Sequence, residues 1–310
     1  MSQAPVLSCV STLYRSSPFV AEFVARIAAA AKTIASEFEI ILVDDGSPDD
    51  SKDIAVSLQD QFPQLRIIEL SRNFGHHPAI LAGLSESRGE FVFFIDSDLE
   101  EAPELLLDFW SQIDGLDVVF GVHDREGKTA FHKFTGSLFW SVMRFASNVN
   151  IVRNLANVRL MRRGYVEALL AMPDRNIFLG GMFAWPGFRQ TAVNIKRKER
   201  ADTSYSIGAR LRLATVAAIS FSNRPLFMVF GLGLIITFFA LLTAFFLVVG
   251  KLLNPGTVLS GFTSIMVSIW LLGGLLMGSV GIVGFYVAHI YEQSRNRPLY
   301  IVRKRYEVDR

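Results

Sequence analysis

Two hydrophobic spacings alternate along roughly the first third of the chain. Short continuous apolar runs, which are typical of buried strands, are separated by longer segments with apolar residues at helical spacing. This alternation predicts βαβ units, and therefore an α/β fold with a mostly parallel sheet. The predicted strands cover 6–13, 39–43, 65–70, 91–95 and 116–120, and the predicted helices cover 19–36, 51–62 and 78–87.

The pattern changes towards the C-terminus, where two long runs carry no Asp, Glu, Lys or Arg. They cover 226–250 and 259–291, and each exceeds the ~20 residues that a helix needs to cross a bilayer. The sequence therefore predicts two transmembrane helices, joined by an extracytoplasmic turn over 251–258. The preceding segment, 206–225, has apolar residues on one side together with arginines. It predicts an amphipathic helix at the membrane surface, although an ordinary packed helix has the same pattern.

The cations beside these two runs predict their orientation, because positively charged flanks stay on the cytoplasmic side of a membrane. The connecting turn carries only Lys251, whereas both outer flanks are rich in arginine. We therefore expect residues 1–205 to form a cytoplasmic domain and residues 292–310 to form a cytoplasmic basic tail. The flanking cations are Arg210, Arg212 and Arg224 before the first run, and Arg295, Arg297, Arg303, Lys304 and Arg305 after the second.

Composition agrees with a membrane protein and excludes some partners. Of the 310 residues, 51% are hydrophobic, which is too apolar on average for a wholly soluble protein. The formal net charge of +2 gives no case for nucleic-acid binding. The single Cys9 has no possible disulfide partner, which fits a reducing compartment, and the N-terminal residues show no signal-peptide pattern.

Carboxylates follow two of the predicted strands. Asp44 and Asp45 come after the strand over 39–43, and Asp96-Ser97-Asp98 comes after the strand over 91–95. Ligands of parallel α/β sheets bind beyond the carboxyl ends of the strands, so these acids are expected to form one site. Asp96 and Asp98 leave the same face of a strand and could hold a hard divalent cation and a ribose hydroxyl. Taken alone, the triplet also fits a solvated strand-to-turn junction.

Four segments carry a resemblance to a known family. They are Asp44-Asp45-Gly46-Ser47, Arg72-Asn73-Phe74-Gly75, the acidic stretch over 96–104, and Gly281-Ile282-Val283-Gly284-Phe285-Tyr286 followed by Arg297-Pro298-Leu299-Tyr300. In this order they resemble the family-2 inverting glycosyltransferases. More specifically, they are similar to the membrane-anchored polyprenyl-phosphate glycosyltransferases related to dolichyl-phosphate mannose synthase and undecaprenyl-phosphate glucosyltransferase. The resemblance covers essentially the whole chain. It implies a GT-A type nucleotide-sugar domain, followed by an interfacial helix and two C-terminal transmembrane helices.

The resemblance also implies roles for the acidic and polar residues. Asp44, Asp45, Arg72 and Asn73 would bind the base and ribose of a nucleotide-sugar donor, and Asp96 would contact its nucleotide side. Asp98 would be catalytic as the ligand of Mg²⁺ or Mn²⁺, which neutralises the departing diphosphate. The family usually continues with Gln-Asp-Pro-Pro-Glu, where this chain has Glu100-Glu101-Ala102-Pro103-Glu104, so Glu101 is the second metal-ligand candidate. An Asx turn is the alternative for Asp44-Asp45, and a salt-bridged loop for Arg72-Asn73.

The acceptor implied by the resemblance is a lipid phosphate, which is already anionic and needs positioning rather than a strong general base. The candidates for a phosphate clamp are Arg125, Lys133, Arg159 and the Lys198/Arg200 region, although a surface charge is the alternative for each alone. Arg159 lies in a segment, Asn157-Val158-Arg159-Leu160, that resembles the family's Asp-Phe-Arg-Leu, with Asn157 in place of the aspartate. His76 and His77 have no ligand-spaced partner and are predicted to be loop or helix-start residues.

The implied activity is inverting transfer of one sugar from a UDP- or GDP-linked donor to polyprenyl phosphate, undecaprenyl phosphate in a bacterium. It would occur at the cytoplasmic face of the inner membrane and yield a lipid-linked sugar for cell-envelope polysaccharide, used by a separate flippase and a downstream transferase. A homo-oligomer, a tetramer, is also implied. Two alternatives remain open: a processive polysaccharide synthase, although its Gln-x-x-Arg-Trp segment is absent, and a catalytically silent membrane protein that binds nucleotide sugar.

Overall fold

The computed structural model describes residues 5–123, 155–172, 179–196, 224–253 and 261–308. The chain divides into two compact units. The first comprises residues 1–138, 149–210 and 297–310, and the second comprises residues 139–148 and 211–296. The first unit therefore contains both the N-terminal region and the C-terminal segment that follows the long apolar runs.

The first unit is built on one mixed sheet of eight strands in the order β7-β5-β6-β4-β1-β2-β3-β8. Strand β1 pairs in parallel with β2 and β4, β2 pairs in parallel with β3, and β5 pairs in parallel with β7. The pairs β3–β8, β4–β6 and β5–β6 are antiparallel. This confirms the predicted α/β fold with a mostly parallel sheet. The strands are β1 Leu7–Leu13, β2 Phe38–Asp44, β3 Leu65–Leu70, β4 Phe91–Phe94, β5 Val118–His123, β6 Leu155–Arg162, β7 Gln190–Ile195 and β8 Val302–Tyr306.

Helices cover both faces of the sheet, which is why every residue of β1, β2, β3 and β4 is buried. On one face, side chains of α1 such as Phe23 and Ile27 join alternate residues of the central strands in a hydrophobic core. On the other face, α3 packs against β1 and β2. The helices of this unit are α1 Val20–Ile34, α2 Ser51–Ser57, α3 His76–Glu86, α4 Leu105–Trp110, α5 Arg163–Leu170 and α6 Leu179–Ala184, and a short 3₁₀ turn covers Leu58–Asp60.

Gly83 lets α3 lie directly on the sheet. A Cβ atom at this position would meet Val10 Cγ1 at 2.4 Å and Val43 Cγ2 at 3.1 Å. Those distances leave no room for a side chain, so a larger residue would push the helix away from β1 and β2. Because α3 begins at His76, this close packing also sets where that histidine lies relative to the carboxyl ends of the strands.

Three strands differ from the sequence-based expectation. β6 and β7 lie within residues 121–205, where the hydrophobic pattern is irregular. β8 lies within residues 292–310, which were expected to be only a basic tail. Its sequence, Val-Arg-Lys-Arg-Tyr, carries three exposed cations and no apolar run. Such a strand is typical of a sheet edge, where lysine and arginine discourage further pairing, and this is why periodicity did not reveal it.

The second unit contains two long helices, α7 Arg224–Leu253 and α8 Phe262–Ser294. Among the described residues, one stretch, Leu271–Ser294 in α8, is long and apolar enough to cross a membrane, with a mean hydropathy of 1.9. Within α7 the corresponding apolar stretch, Val229–Ala240, is shorter. One candidate span is thus found among the described residues, and the expectation of two spanning helices stays a prediction. Most of the expected interfacial segment, 206–225, and of the expected turn, 251–258, lies outside the described residues.

Candidate functional site

Polar side chains gather where β1, β2, β3 and β4 end. Asp44 is the last residue of β2, and it is in register with Leu13 of β1 on one side and Glu69 of β3 on the other. Val10 of β1 is in register with Phe94, the last residue of β4. The loops that follow these strands therefore meet at one edge, as expected for a mostly parallel sheet.

Asp49 joins the loops that follow β1 and β2. Its Oδ1 accepts hydrogen bonds from the hydroxyls of Ser47 and Ser51, both at 2.5 Å, and its Oδ2 accepts the backbone N–H of Ser17 at 3.1 Å. Burial alone would raise the pKa of Asp49, but these hydrogen bonds hold it well below its ordinary value. Through these hydrogen bonds the Asp49 carboxylate links the loop that follows β1 to the loop that follows β2.

Asp45 holds the loop that follows β3. Its two carboxylate oxygens accept the backbone N–H groups of Phe74 at 2.7 Å and Gly75 at 3.0 Å. A Cβ on Gly46, whose φ is +62°, would lie 2.7 Å from the backbone nitrogen of Asn73. The backbone of the loop that follows β3 thus passes too close to Gly46 for any side chain to fit there. Asp45 was expected to bind a nucleotide directly, and in this structure it shapes the loop that carries Arg72 and Asn73.

Asp44 is also nearly buried, with 4% of its surface exposed, and it accepts the backbone N–H of Ser47 at 3.1 Å. Burial raises its pKa to about 6. Arg72 and Asn73, by contrast, are exposed at the edge. The Arg72 guanidinium lies 4.1 Å from the ring centre of Phe74 and donates to the carbonyl oxygen of Asn73 at 3.0 Å. These two side chains can therefore reach a ligand more readily than either aspartate.

Asp96 lies at the centre of a cluster drawn from four elements. Its Oδ2 accepts from Asn157 Nδ2 at 3.2 Å, and its Oδ1 lies 3.4 Å from His76 Nε2. His76 Nε2 is 3.2 Å from Asn157 Nδ2, and His76 Nδ1 is 3.3 Å from Thr12 Oγ1. Burial raises the pKa of Asp96, while His76 and Asn157 act in the opposite direction. Within the described ranges, Asp96 Oδ1 is buried and has no hydrogen-bond partner, so it is an acceptor available to a ligand.

The turn after Asp96 contains a residue, Leu99, in a strained backbone conformation. Ser97 is buried and donates its hydroxyl to the carbonyl oxygen of Thr12 at 2.7 Å. Asp98 Oδ1 accepts the backbone N–H of Glu100 at 3.0 Å. Between them Leu99 has φ +59°, a left-handed conformation that is uncommon for a non-glycine residue and costs of order 1–3 kcal/mol. Such strain is often found at functional sites, because the surrounding structure must hold it in place.

The expected second metal ligand, Glu101, is buried beside a histidine. Its Oε1 lies 3.3 Å from His123 Nε2, and His123 Nδ1 is a buried nitrogen with no hydrogen-bond partner in the described part of the chain. Over the same residues, no three Asp, Glu, His or Cys side chains come together as a metal cluster. A magnesium ion needs only one or two protein carboxylates when substrate phosphates supply other oxygens. The carboxylate chemistry at Asp98 fits that arrangement, whereas Glu101 is engaged with His123.

Arg159 is not at the surface of the site. It is opposite Phe94 in the β4–β6 pair, and only 1% of it is exposed. Its guanidinium donates to the carbonyl oxygens of Asn157 at 3.0 Å and Ala156 at 3.3 Å, and lies 3.1 Å from the ring centre of Phe183. Burial lowers its pKa to about 10. Arg159 was expected to belong to a phosphate clamp; in this structure its guanidinium is instead engaged with the backbone carbonyl groups of Asn157 and Ala156.

The remaining expected clamp residues, Arg125, Lys133, Lys198 and Arg200, lie outside the described residues. Conversely, two residues in the site, Thr12 and His76, did not stand out from the sequence. His76 does begin a helix, as predicted, but its ring contacts Asp96. Its position directly after the loop that follows β3, at the carboxyl edge of a predicted parallel sheet, was the signal that could have identified it.

Comparisons with known proteins agree with this arrangement. Residues 8–170, just over half of the chain, match glycosyl transferase family 2. A protein of Mycobacterium tuberculosis described as a putative glycosyltransferase is 37% identical over 305 residues, which cover 98% of this chain and 89% of the relative. An uncharacterized glycosyltransferase of Synechocystis is 35% identical over 302 residues, covering 96% and 94%.

A third relative carries a more specific description. The SfII prophage-derived bactoprenol glucosyl transferase of Shigella flexneri is 33% identical over 274 residues, which cover 86% of this chain and 88% of the relative. The family match includes the strands β1, β2, β3 and β4 and the loops that form the site. The chain therefore belongs to glycosyl transferase family 2 and is a glycosyltransferase.

Proposed function

We propose that this enzyme transfers one sugar, with inversion, from a nucleotide-sugar donor to polyprenyl phosphate. The observation that carries this proposal is the acceptor atom Asp96 Oδ1, buried at the carboxyl edge of the sheet without a hydrogen-bond partner in the described residues. A hydroxyl of a nucleotide sugar can donate to it. The relatives described as bactoprenol glucosyl transferases support a polyprenyl acceptor.

The donor is proposed to lie across the loops that follow β2, β3 and β4. The exposed side chains of Arg72 and Asn73 would face its base, while Asp96 would accept a hydroxyl from its nucleotide side. Asp98 would hold a divalent ion, Mg²⁺ or Mn²⁺. Such an ion acts as a Lewis acid on the departing diphosphate. UDP- and GDP-linked sugars are the two donor classes to test.

The side chain at residue 157 supports a phosphate acceptor. Asn157 lies beside Asp96, and its amide cannot take a proton from an attacking group at neutral pH. A hydroxyl acceptor would need a base, whereas a phosphate monoester is already anionic and needs only to be positioned. Arg125 and Lys133 are the proposed clamp for that phosphate, since an arginine fork matches phosphate oxygens.

A two-span arrangement in the membrane is supported by β8. This strand follows α8 and pairs with β3, so β3 and β8 must lie in the same compartment. A chain that leaves a compartment and returns to it crosses the membrane an even number of times. If α8 crosses, α7 is the natural second crossing, because its 30 residues span about 45 Å at 1.5 Å per residue. We propose the cytoplasmic side of a bacterial inner membrane, from the flanking cations.

The experiment that tests the function is transfer of radiolabelled sugar from UDP-glucose or GDP-mannose in membranes that contain the enzyme. We expect the label in a solvent-extractable lipid whose formation requires added polyprenyl phosphate. Label in a water-soluble polymer would instead indicate a processive synthase. Donor binding without turnover would indicate a catalytically silent protein. Two helices are too few to move the lipid-linked sugar across a membrane, so the product would pass to a separate flippase and a downstream transferase.

A further inference from the structure

Hydrogen-bond geometry around Asp96 assigns a donor or an acceptor role to the groups that surround it. The amide nitrogen of Asn157 faces Asp96 Oδ2 at 3.2 Å and donates to it. The same nitrogen is 3.2 Å from His76 Nε2. Since an amide NH₂ has two hydrogens, one can go to the carboxylate and the other to the imidazole.

This assignment determines which nitrogen of His76 carries its hydrogen. Nε2 also lies 3.4 Å from Asp96 Oδ1, but that contact does not have hydrogen-bond geometry. Nε2 is therefore assigned as the acceptor from Asn157, because two N–H donors facing each other would repel. The hydrogen of a neutral imidazole then lies on Nδ1. Nδ1 is 3.3 Å from Thr12 Oγ1, which can accept it. In the cluster formed by Thr12, His76, Asn157 and Asp96, Asp96 Oδ1 is the buried side-chain atom that this pairing leaves without a hydrogen-bond partner.

We propose that His76 is a positioning residue for the donor: through Asn157 it fixes the orientation of the Asp96 carboxylate and leaves Oδ1 free to accept a hydroxyl of the nucleotide sugar. The ligand class rests on the proposed function, whereas the hydrogen-bond chain does not. The His76 side chain is 42% exposed, so burial of its ring contributes little to the core. The contribution of His76 to the site is therefore the hydrogen bonding of its two ring nitrogens.

The proposal also accounts for the amide at residue 157. A carboxylate there would face the carboxylate of Asp96 at about 3 Å, where like charges repel. It would also offer an acceptor, not a donor, to His76 Nε2. The amide of Asn157, which donates, and the Nε2 of His76, which accepts, are therefore complementary. Asn157 stands where the family pattern has an aspartate.

Two substitutions at His76 distinguish the effect of its hydrogen bond to Asn157 from the effect of a side chain simply filling this position. The glutamine side chain places its terminal carbonyl near the position of Nε2, where it can still accept from Asn157. The shorter asparagine side chain reaches only as far as Nδ1. By calorimetry on the full-length protein in detergent, we expect His76→Asn to weaken binding of UDP-glucose or GDP-mannose about tenfold, the equivalent of one lost hydrogen bond. His76→Gln should bind within about threefold of the wild type. His77→Asn is the matched control and should bind as the wild type does.

A second measurement needs no ligand. The chain has five histidines, so ¹⁵N-histidine spectra of the full-length protein are simple, and the His76 signals are those that His76→Gln removes. We expect the hydrogen on Nδ1 in the wild type and on Nε2 in Asn157→Asp, where the neighbour becomes an acceptor. A hydrogen on Nε2 in the wild type would overturn the proposal. So would His76→Asn binding as tightly as the wild type, which leaves the proposed function standing. If the wild type binds neither nucleotide sugar, the proposed function itself fails.

Discussion

Arg66 on β3 donates to Glu307, which follows β8, with Nη2 and Oε1 only 2.6 Å apart although the two residues are 241 positions apart in the chain. The same guanidinium donates to Glu39 on β2 at 2.7 Å. The same two chain segments are also joined through their backbones, because the N–H of Ser71 donates to the carbonyl oxygen of Ile301 at 2.9 Å. The segment that follows α8 is therefore fastened to the strand that leads into the loop with Arg72 and Asn73.

The first prediction concerns this attachment. Glu307→Gln removes one charge from an ion pair in which Arg66 is buried, and it should lower the free energy of unfolding by about 1–3 kcal/mol. Glu307 is 36% exposed, which places the effect below that of breaking a fully buried pair. Thermal unfolding of the full-length protein measures it. Glu37→Gln is the control, because Glu37 is an exposed acid that directly precedes β2. Equal stability of the two variants would show that the C-terminal segment is held by its strand pairing alone.

The second prediction concerns topology. The only cysteine, Cys9, is buried, so introduced cysteines can be labelled against a low background. Thr257→Cys should react with a membrane-impermeant reagent from outside intact cells, and Val308→Cys should react only after the membrane is opened. This follows because β8 shares a sheet with β3, and Val308 follows directly after β8. Labelling of both positions from the same side would contradict the two-span arrangement.

The parts of the fold that the sequence predicts are those with a local signal. The strands β1 to β4 are buried on both faces and stand out as continuous apolar runs, so the predicted bounds differ from the observed ones by at most one residue at either end. β8 lacks such a signal. It pairs with β3 and is accompanied by the ion pair of Arg66 with Glu307, and no window of the sequence contains both partners of either contact.

In the site, too, the features with a local sequence signal could be predicted, and those that depend on tertiary contacts could not. The acids after β2 and β4 were predicted to converge, because parallel strands end at one edge, and the register of β1, β2 and β4 places both loops at that edge. What each side chain does there depends on tertiary contacts: Asp45 is taken up by the N–H groups of Phe74 and Gly75, and Arg159 by the carbonyl oxygens of Asn157 and Ala156. The positions of Asp45 and Arg159 in their motifs predicted which part of the fold they lie in, but not which groups their side chains contact.

The third prediction tests the proposed metal ligand. Asp98→Asn should reduce transfer by about 10²–10³-fold, because it removes the carboxylate that holds a cation against the departing diphosphate. It should also remove the dependence of donor binding on Mg²⁺ or Mn²⁺. The unfolding temperature should stay close to that of the wild type. Asp114→Asn, an exposed acid away from the site, controls for the loss of one charge. Normal turnover by Asp98→Asn would exclude Asp98 as the essential ligand.

The fourth prediction follows from the buried carboxyl of Asp44. Its pKa is raised to about 6 by burial, above the ~3.9 of an ordinary aspartate, so folding favours the protonated form. The stability gained in this way is present in full below about pH 4 and is lost as the pH rises through about 6. Asp44→Asn imitates the protonated side chain and still accepts the N–H of Ser47. Its unfolding temperature relative to wild type should therefore rise between about pH 4 and about pH 6.5. A difference that does not change with pH would contradict this account.

The last prediction decides between a surface role and an internal role for Arg159. If it held the acceptor phosphate, Arg159→Ala would raise the KM for polyprenyl phosphate and leave stability unchanged. In the structure its guanidinium is buried against Phe183 and occupies two carbonyl groups. We therefore expect Arg159→Ala to lower the free energy of unfolding by about 2–5 kcal/mol, because it creates a cavity and leaves buried carbonyls without donors. Donor affinity should fall as well, since Asn157 loses its support.

Arg159→Lys should recover only part of this loss, because an ammonium keeps the charge but not the planar fork. Arg125→Ala is the contrasting variant, since Arg125 belongs to the proposed phosphate clamp. It should raise the KM for polyprenyl phosphate while leaving the unfolding temperature and the donor affinity near those of the wild type. If Arg159→Ala instead behaved like Arg125→Ala, with normal stability and a raised KM, the guanidinium would have to leave its buried position when the acceptor binds.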